Sequence, residues 1–207
     1  ELISDKPLDW WLPRLTAIKR SFPDRVLVAS IMAGSGNDKE LAHWQTLANA
    51  CQDEGADALE LNLSCPHMDR KDMGSNIGKD PVMKSVVVGA VQEVGRMPVW
   101  VKLTPASANL VEEAGAVFHG GARAISSSNT FPSLPPIDPT TLDFEVNVDG
   151  QVASGGLGGP AILPQSLAKM AQMTQAFPDR GFSGIGGIAT FAHALNYFLL
   201  GCGTVQV

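Results

Sequence analysis

Short β-branched runs alternate with longer stretches of helical period along almost the whole chain, and this alternation limits the possible folds more than any other feature. Arg25–Met32 (RVLVASIM) reads as a strand, and Asp38–Glu54 follows with Leu41, Trp44, Ala48 and Cys51 at helical spacing. Ala58–Leu63 is the next strand. Pro81–Val94 is the next helix, with Pro81 suited to a first turn, where a missing N–H costs nothing. Val99–Lys102 is predicted extended, Asn109–His119 helical with Leu110, Ala114 and Val117 on one face, and Ala124–Ser127 extended. Ile162–Phe177, Phe182–Ile185, Thr190–Leu200 and Thr204–Val207 continue as helix, strand, helix and strand.

A short repeat supports this pattern. Gly55-Ala56-Asp57, Gly121-Ala122-Arg123 and Gly201-Cys202-Gly203 each close a helix one or two residues before a strand. Glycine takes the left-handed conformation that stops a helix, and the short loop returns the chain to the sheet. Six strands separated mostly by helices imply parallel pairing with right-handed crossovers.

An open doubly wound sheet and a (β/α)8 barrel both satisfy that pattern. The first would favour a Gly-x-Gly-x-x-Gly turn straight after the first strand, and none stands there. Asn62, Lys102, Asn129 and Gly186 each fall at or just past the C-terminal end of a different strand, which is where a barrel gathers its active site. A full barrel takes about 250 residues. The expectation is therefore a single-domain α/β fold over 1–207, a (β/α)8 barrel carrying strands three to eight, with the first two strands missing.

Composition narrows the partners. With 44% apolar and 17% charged residues the 207-residue chain is globular, and a net charge of −6 without a basic patch argues against nucleic acid. No apolar run approaches the roughly 18–20 residues of a membrane span, and no signal peptide is visible, so no membrane partner and a cytoplasmic location are expected. Cys51, Cys65 and Cys202 lack metal-ligand spacing, so no zinc, iron–sulfur or other metal site is expected within this segment.

The strand ends carry the candidate chemistry. In Leu61-Asn62-Leu63-Ser64-Cys65-Pro66-His67 a strand runs straight into a loop, and Pro66 stiffens the position of Cys65. An unperturbed thiol, with a pKa of about 8.5, is protonated at neutral pH and can donate a proton to carbon. The plain alternative is a small apolar filler. Met68–Lys79 is a polar, glycine-containing loop that is either a lid or a solvated connection. Lys102 ends an otherwise apolar strand, where it either stabilises negative charge on a reduced cofactor or makes a structural salt bridge. Ser126-Ser127-Ser128-Asn129-Thr130 ends another strand; Asn129 offers donors and an acceptor to a flat heterocycle, or else closes a local turn. Gly155-Gly156-Leu157-Gly158-Gly159-Pro160 is expected to open a helix, and Gly184-Ile185-Gly186-Gly187 to close a strand ahead of another. Such turns let backbone N–H groups converge on a phosphate, which barrels commonly hold in their last loops. Of the histidines, His43, His119 and His193 fall in helices as ordinary residues, leaving His67 as the site candidate.

These segments, GADALELNLSCPH, VKLTP, SNT, GGLGGPAILP and GIGGI, resemble the FMN-binding domain of the dihydropyrimidine dehydrogenases and, more broadly, the class 1 dihydroorotate dehydrogenases, from Glu1 to Val207. The resemblance implies an oxidoreductase of pyrimidine catabolism that reduces the C5–C6 bond of uracil or thymine. FMN would pass hydride from N5 to C6 and Cys65 would protonate C5. Asn62, Asn129 and Thr130 would bind the pyrimidine edge, with Ser64 and His67 in the loop that carries Cys65. Lys102 would face the flavin, and backbone around Gly155, Gly156, Gly186 and Gly187 would hold its phosphate. It also implies an oligomer and a partner domain or subunit with FAD, iron–sulfur clusters and NAD(P)H. His67 leans toward the uracil branch, since the dihydroorotate enzymes usually carry Asn there. The sequence departs from the family at Gly158, where a hydroxyl residue is frequent, and at Phe131–Ala153, a connection without assignment. Dihydroorotate oxidation, a non-redox phosphate-binding barrel and a non-catalytic subunit surface remain the alternatives.

Overall fold

A computed structural model describes residues 4, 6–34, 37–64, 80–148, 151–152 and 155–207. Helix α1 (Leu8–Ser21) leads into strand β1 (Val28–Ile31), and α2 (Asp38–Asp53), β2 (Ala58–Asn62), α3 (Pro81–Val94), β3 (Val99–Lys102), α4 (Leu110–His119) and β4 (Ala124–Ser127) follow. Four short strands come next: β5 (Phe131–Ser133), β6 (Asn147–Val148), β7 (Gln151–Val152) and β8 (Gly155–Leu157). A 3-10 turn (Pro160–Ile162), α5 (Leu163–Ala176), β9 (Gly181–Ile185), α6 (Phe191–Leu199) and β10 (Thr204–Gln206) complete the order. Helix α1 has no counterpart among the sequence expectations. It contains Pro13 and buries none of its residues, so it carries neither a clean propensity nor a clean apolar stripe.

Side-chain caps open four of the helices, and the expected glycine stops close three of them. Asn37, Asp80, Asn109 and Thr190 cap α2, α3, α4 and α6, each accepting from a backbone N–H in the first turn. Gly55, Gly121 and Gly201 stop α2, α4 and α6 at φ of 91°, 103° and 100°, a region closed to most side chains.

Strands β1, β2, β3, β4, β9 and β10 form one sheet in that order, all parallel. Strand order equals chain order, with no switch point. The helices also pack neighbour on neighbour in chain order, from α1 against α2 through to α5 against α6, so one helical layer covers one face of the sheet. Leu59, Leu61, Val99, Val101, Ile125 and Phe182 point into that layer and meet Trp44, Val87, Val117 and Met170 in a continuous core. A buried ion pair, Lys84 to Glu113, ties α3 to α4, and burial holds the Lys84 ammonium below its ordinary pKa.

The opposite face shows that the sheet curls. On a flat sheet β2 and β10 would lie four strand spacings, about 19 Å, apart. Instead Gln206 Nε2 on β10 donates to Glu60 Oε2 on β2 at 2.8 Å and to Ser126 Oγ on β4 at 3.1 Å. Two side chains cannot bridge the flat distance, so the strands wrap around a polar interior. The fold is an incomplete (β/α)8 barrel.

Candidate active site

Parallel register places the chemistry in one row. Asn62 pairs with Lys102, and Lys102 with Ser126, so three strands end together at one rim. Because side chains alternate, these residues share the inner face, one position along from the buried Leu61, Val101 and Ile125. Asn62 Oδ1 accepts from Ser64 N at 3.3 Å and Ser64 Oγ at 3.1 Å. Asn129 Nδ2 then donates to Ser64 Oγ at 2.8 Å and Asn62 Oδ1 at 3.4 Å. Asn129 Oδ1 accepts from Thr130 N at 2.8 Å. Four candidates, on segments 67 residues apart, thus form one hydrogen-bonded cluster. Backbone pins its far side: Asn129 N donates to Leu103 O at 3.0 Å, and Ser128 N to Ile185 O at 3.1 Å.

Beside the cluster lies a cleft of about 300 Å³ that Lys102, Asn129, Thr130, Gly158, Gly159, Gly186, Gly187 and Gln206 help to line. Gly186 and Gly187 have φ of 117° and 75°. Any Cβ at Gly186 would stand 2.4 Å from Ser166 Oγ, and one at Gly187 2.6 Å from Leu163 Cβ, so the turn presses onto the first turns of α5 as only glycine can. Tyr197, the single tyrosine, donates from its hydroxyl to Ile185 O at 3.0 Å and Gly186 O at 2.8 Å, fixing that turn from α6. Burial pushes its phenol up to about 12, so it remains a donor.

Gly155 and Gly156 take a different place from the helix opening the sequence suggests. They lie on β8, paired antiparallel with Phe131–Ser133, and α5 opens only after the 3-10 turn. The Cα of Gly156 packs on Thr130, where a Cβ would come within 2.1 Å of Oγ1. Close approach to Thr130 is what that glycine permits, and Gly158 and Gly159 reach the cleft instead. The connection after Thr130 thus contains two small antiparallel sheets, β5 with β8 and, between them in the chain, β6 with β7. Cys65 and His67 lie outside the described residues, as does Met68–Lys79; Ser64, next to Cys65, is 1% exposed within the cluster. His193 approaches Gly187 O with Nδ1 at 3.1 Å and supports the glycine turn, a closer role than an ordinary helix residue has.

Sequence reasoning did not single out Glu60, Gln206 or Tyr197. A glutamate inside an otherwise apolar strand, Ala58-Leu59-Glu60-Leu61-Asn62, was the available signal for the first.

The donor set fits an anionic, flat cofactor with a phosphate tail: four glycines and the Lys102 ammonium on one cleft, with amides and hydroxyls at its edge. A curled parallel sheet that gathers such groups at its strand ends has them where barrel enzymes carry their active sites. Residues 13–207 match the family model described as dihydroorotate dehydrogenase, and the chain belongs to that family. It is 37% identical over 213 residues to the chloroplastic dihydropyrimidine dehydrogenase (NADP(+)) of Arabidopsis thaliana, covering 100% of this chain and 49% of that protein. It is also 37% identical over 209 residues to the NAD-dependent dihydropyrimidine dehydrogenase subunit PreA of Escherichia coli (strain K12), covering 100% and 50% respectively. Identity to the catalytic subunit of dihydroorotate dehydrogenase B (NAD(+)) of Streptococcus pneumoniae (strain ATCC BAA-255 / R6) is 30% over 194 residues, 94% of this chain and 59% of that one. The chain spans about half the length of the first two relatives. Among the described residues no helix is long and apolar enough to cross a membrane, and no group of three or more His, Cys, Asp or Glu residues could hold a metal ion.

Proposed function

We propose that this chain is the FMN-binding catalytic part of an oxidoreductase that reduces the C5–C6 bond of uracil or thymine. The observation that carries the reading is the convergence of Asn62, Ser64, Asn129 and Thr130 beside a glycine-lined cleft that also holds Lys102. The greater identity to dihydropyrimidine dehydrogenases than to the dihydroorotate enzyme supports the choice of substrate.

Bound in the cleft, FMN supplies two-electron hydride chemistry. The chain's own residues do the rest. Asn62 and Asn129 present amide donors and acceptors that match the alternating imide and carbonyl edge of a pyrimidine. Ser64 bridges both amides, so the three side chains set one orientation for the ring. Cys65, the next residue, is the acid that protonates C5, and its thiol is regenerated from solvent. Lys102 stabilises negative charge on the cofactor ring, while backbone around Gly158, Gly159, Gly186 and Gly187 receives the phosphate. Electrons reach the site from NAD(P)H through partner domains or subunits carrying FAD and iron–sulfur clusters.

In the intact protein, Cys65→Ser is expected to keep FMN, read by visible absorbance, and to lose roughly 10²–10⁴-fold in uracil reduction near neutral pH. Unchanged turnover would remove the thiol from the reaction. Assay of uracil, thymine and dihydroorotate side by side tests the substrate. Turnover of dihydroorotate alone would favour the second reading, for which the matched family model speaks.

A further inference from the structure

Glu60 is a carboxylate inside the half-barrel, 5% exposed, to which the reaction above assigns no task. It stands two residues deeper on β2 than Asn62, whose row holds Lys102. Its Oε2 accepts from Gln206 Nε2 at 2.8 Å. Its Oε1 faces Ser30 Oγ at 3.5 Å and Lys102 Nζ at 3.9 Å. Among the described residues no other cation is paired with it.

Burying a carboxylate costs free energy that an apolar side chain of similar shape avoids, and a buried ion pair adds little stability by itself. A contact of 3.9 Å is moreover a weak clamp. Gln206 holds one carboxylate oxygen from across the curl, which leaves the other facing the lysine at fixed range. Lys102 is meanwhile 23% exposed and lines the cleft. One ammonium is therefore shared between an interior carboxylate and the space in which a cofactor would sit. Such an arrangement tunes charge rather than locking structure.

We propose that Glu60 is a positioning residue for Lys102: it draws the ammonium inward and tempers the positive charge presented to a bound flavin, and so sets how strongly the reduced cofactor is favoured. This inference rests on the FMN reading above. Its step is purely electrostatic; Glu60 touches neither substrate nor reacting atoms.

The test is the ratio of affinities for reduced and oxidised FMN, obtained from the midpoint potential of the intact protein, with turnover not required. Glu60→Gln is expected to raise that ratio about tenfold, which for a two-electron couple is a positive shift of about 30 mV. Glu60→Asp, with its carboxylate withdrawn by one methylene, is expected to move it in the same direction by less. In a Lys102→Met background the Glu60→Gln shift is expected to vanish, as coupling through the lysine demands. An unchanged ratio in Glu60→Gln, or an equal shift without Lys102, would overturn the inference. Should Glu60→Gln fail to fold, Glu60→Asp carries the test, and an unchanged ratio there overturns it equally. An intact wild-type protein that binds no flavin overturns the proposed function and this inference together. Flavin bound at an unaltered ratio overturns this inference alone.

Discussion

On the outer face of the six-stranded sheet Leu59, Leu61, Val101 and Ile125 are fully buried beneath helices, while the inner face of the same strands carries Glu60, Asn62, Lys102 and Ser126. The two sets differ by one position along each strand. Alternation of side chains across a strand separates them, so one short segment supplies both packing and chemistry. The outer face is apolar because burial of apolar surface stabilises the fold by about 25 cal/mol per Å². The inner face holds charges and amides that this term opposes, and it tolerates them because they partner one another across the curl. Outer residues should therefore act on stability and inner rim residues on binding and catalysis.

The largest effect should come from the outer side. Trp44 is fully buried, and its Nε1 donates to Gly34 O at 2.7 Å. Trp44→Ala is expected to cost roughly 3–5 kcal/mol of stability by chemical denaturation, with turnover per folded, flavin-loaded molecule nearly intact. A loss of specific turnover as large as the loss of stability would break the separation. On the inner side, Asn129→Ala is expected to lower kcat/KM for uracil by about 10–100-fold, corresponding to the roughly 1–3 kcal/mol of an unmade hydrogen bond, while the denaturation midpoint moves little. Steady-state kinetics and denaturation on the same sample decide it.

The third effect, confined to alkaline pH, concerns thiols in the core. Burial pushes the Cys51 thiol up to about 11 and the Cys202 thiol up to about 12. Both stay protonated in the folded state at pH values where the unfolded chain ionises. The folded state then binds more protons from about pH 9 upward, so their contribution is full below that pH and is lost as pH rises toward 11 and 12. Stability measured from pH 8 to 11 should decline, by up to about 1.4 kcal/mol per pH unit for each proton, and Cys51→Ala with Cys202→Ala should flatten the slope. An unaltered slope in the double variant would reject the assignment.

The site residues that were legible in the sequence share one property: each interrupts an apolar run at the end of a strand. The lysine that ends VWVK, Asn129 just past β4 and Gly186-Gly187 just past β9 all line the cleft. Glu60 and Gln206 passed unnoticed because each makes sense only through the other, 146 residues away. Tyr197 reads as one more aromatic on the apolar helix α6, and only its hydroxyl contacts reveal that it anchors the Gly186 turn. Gly156 stands in a glycine-rich run whose local pattern does not show that its missing side chain lets β8 approach Thr130.

Sequence alone determined the order of elements from β1 to β4 and from α5 to β10, the helix stops at Gly55, Gly121 and Gly201, and the residues standing at strand ends, because propensity, capping and periodicity act within a few positions. Tertiary structure alone decided that Asn62 meets Asn129 and that Glu60 stands between Gln206 and Lys102. Those contacts depend on the register and curvature of strands distant in the chain, and no local pattern of residues encodes either.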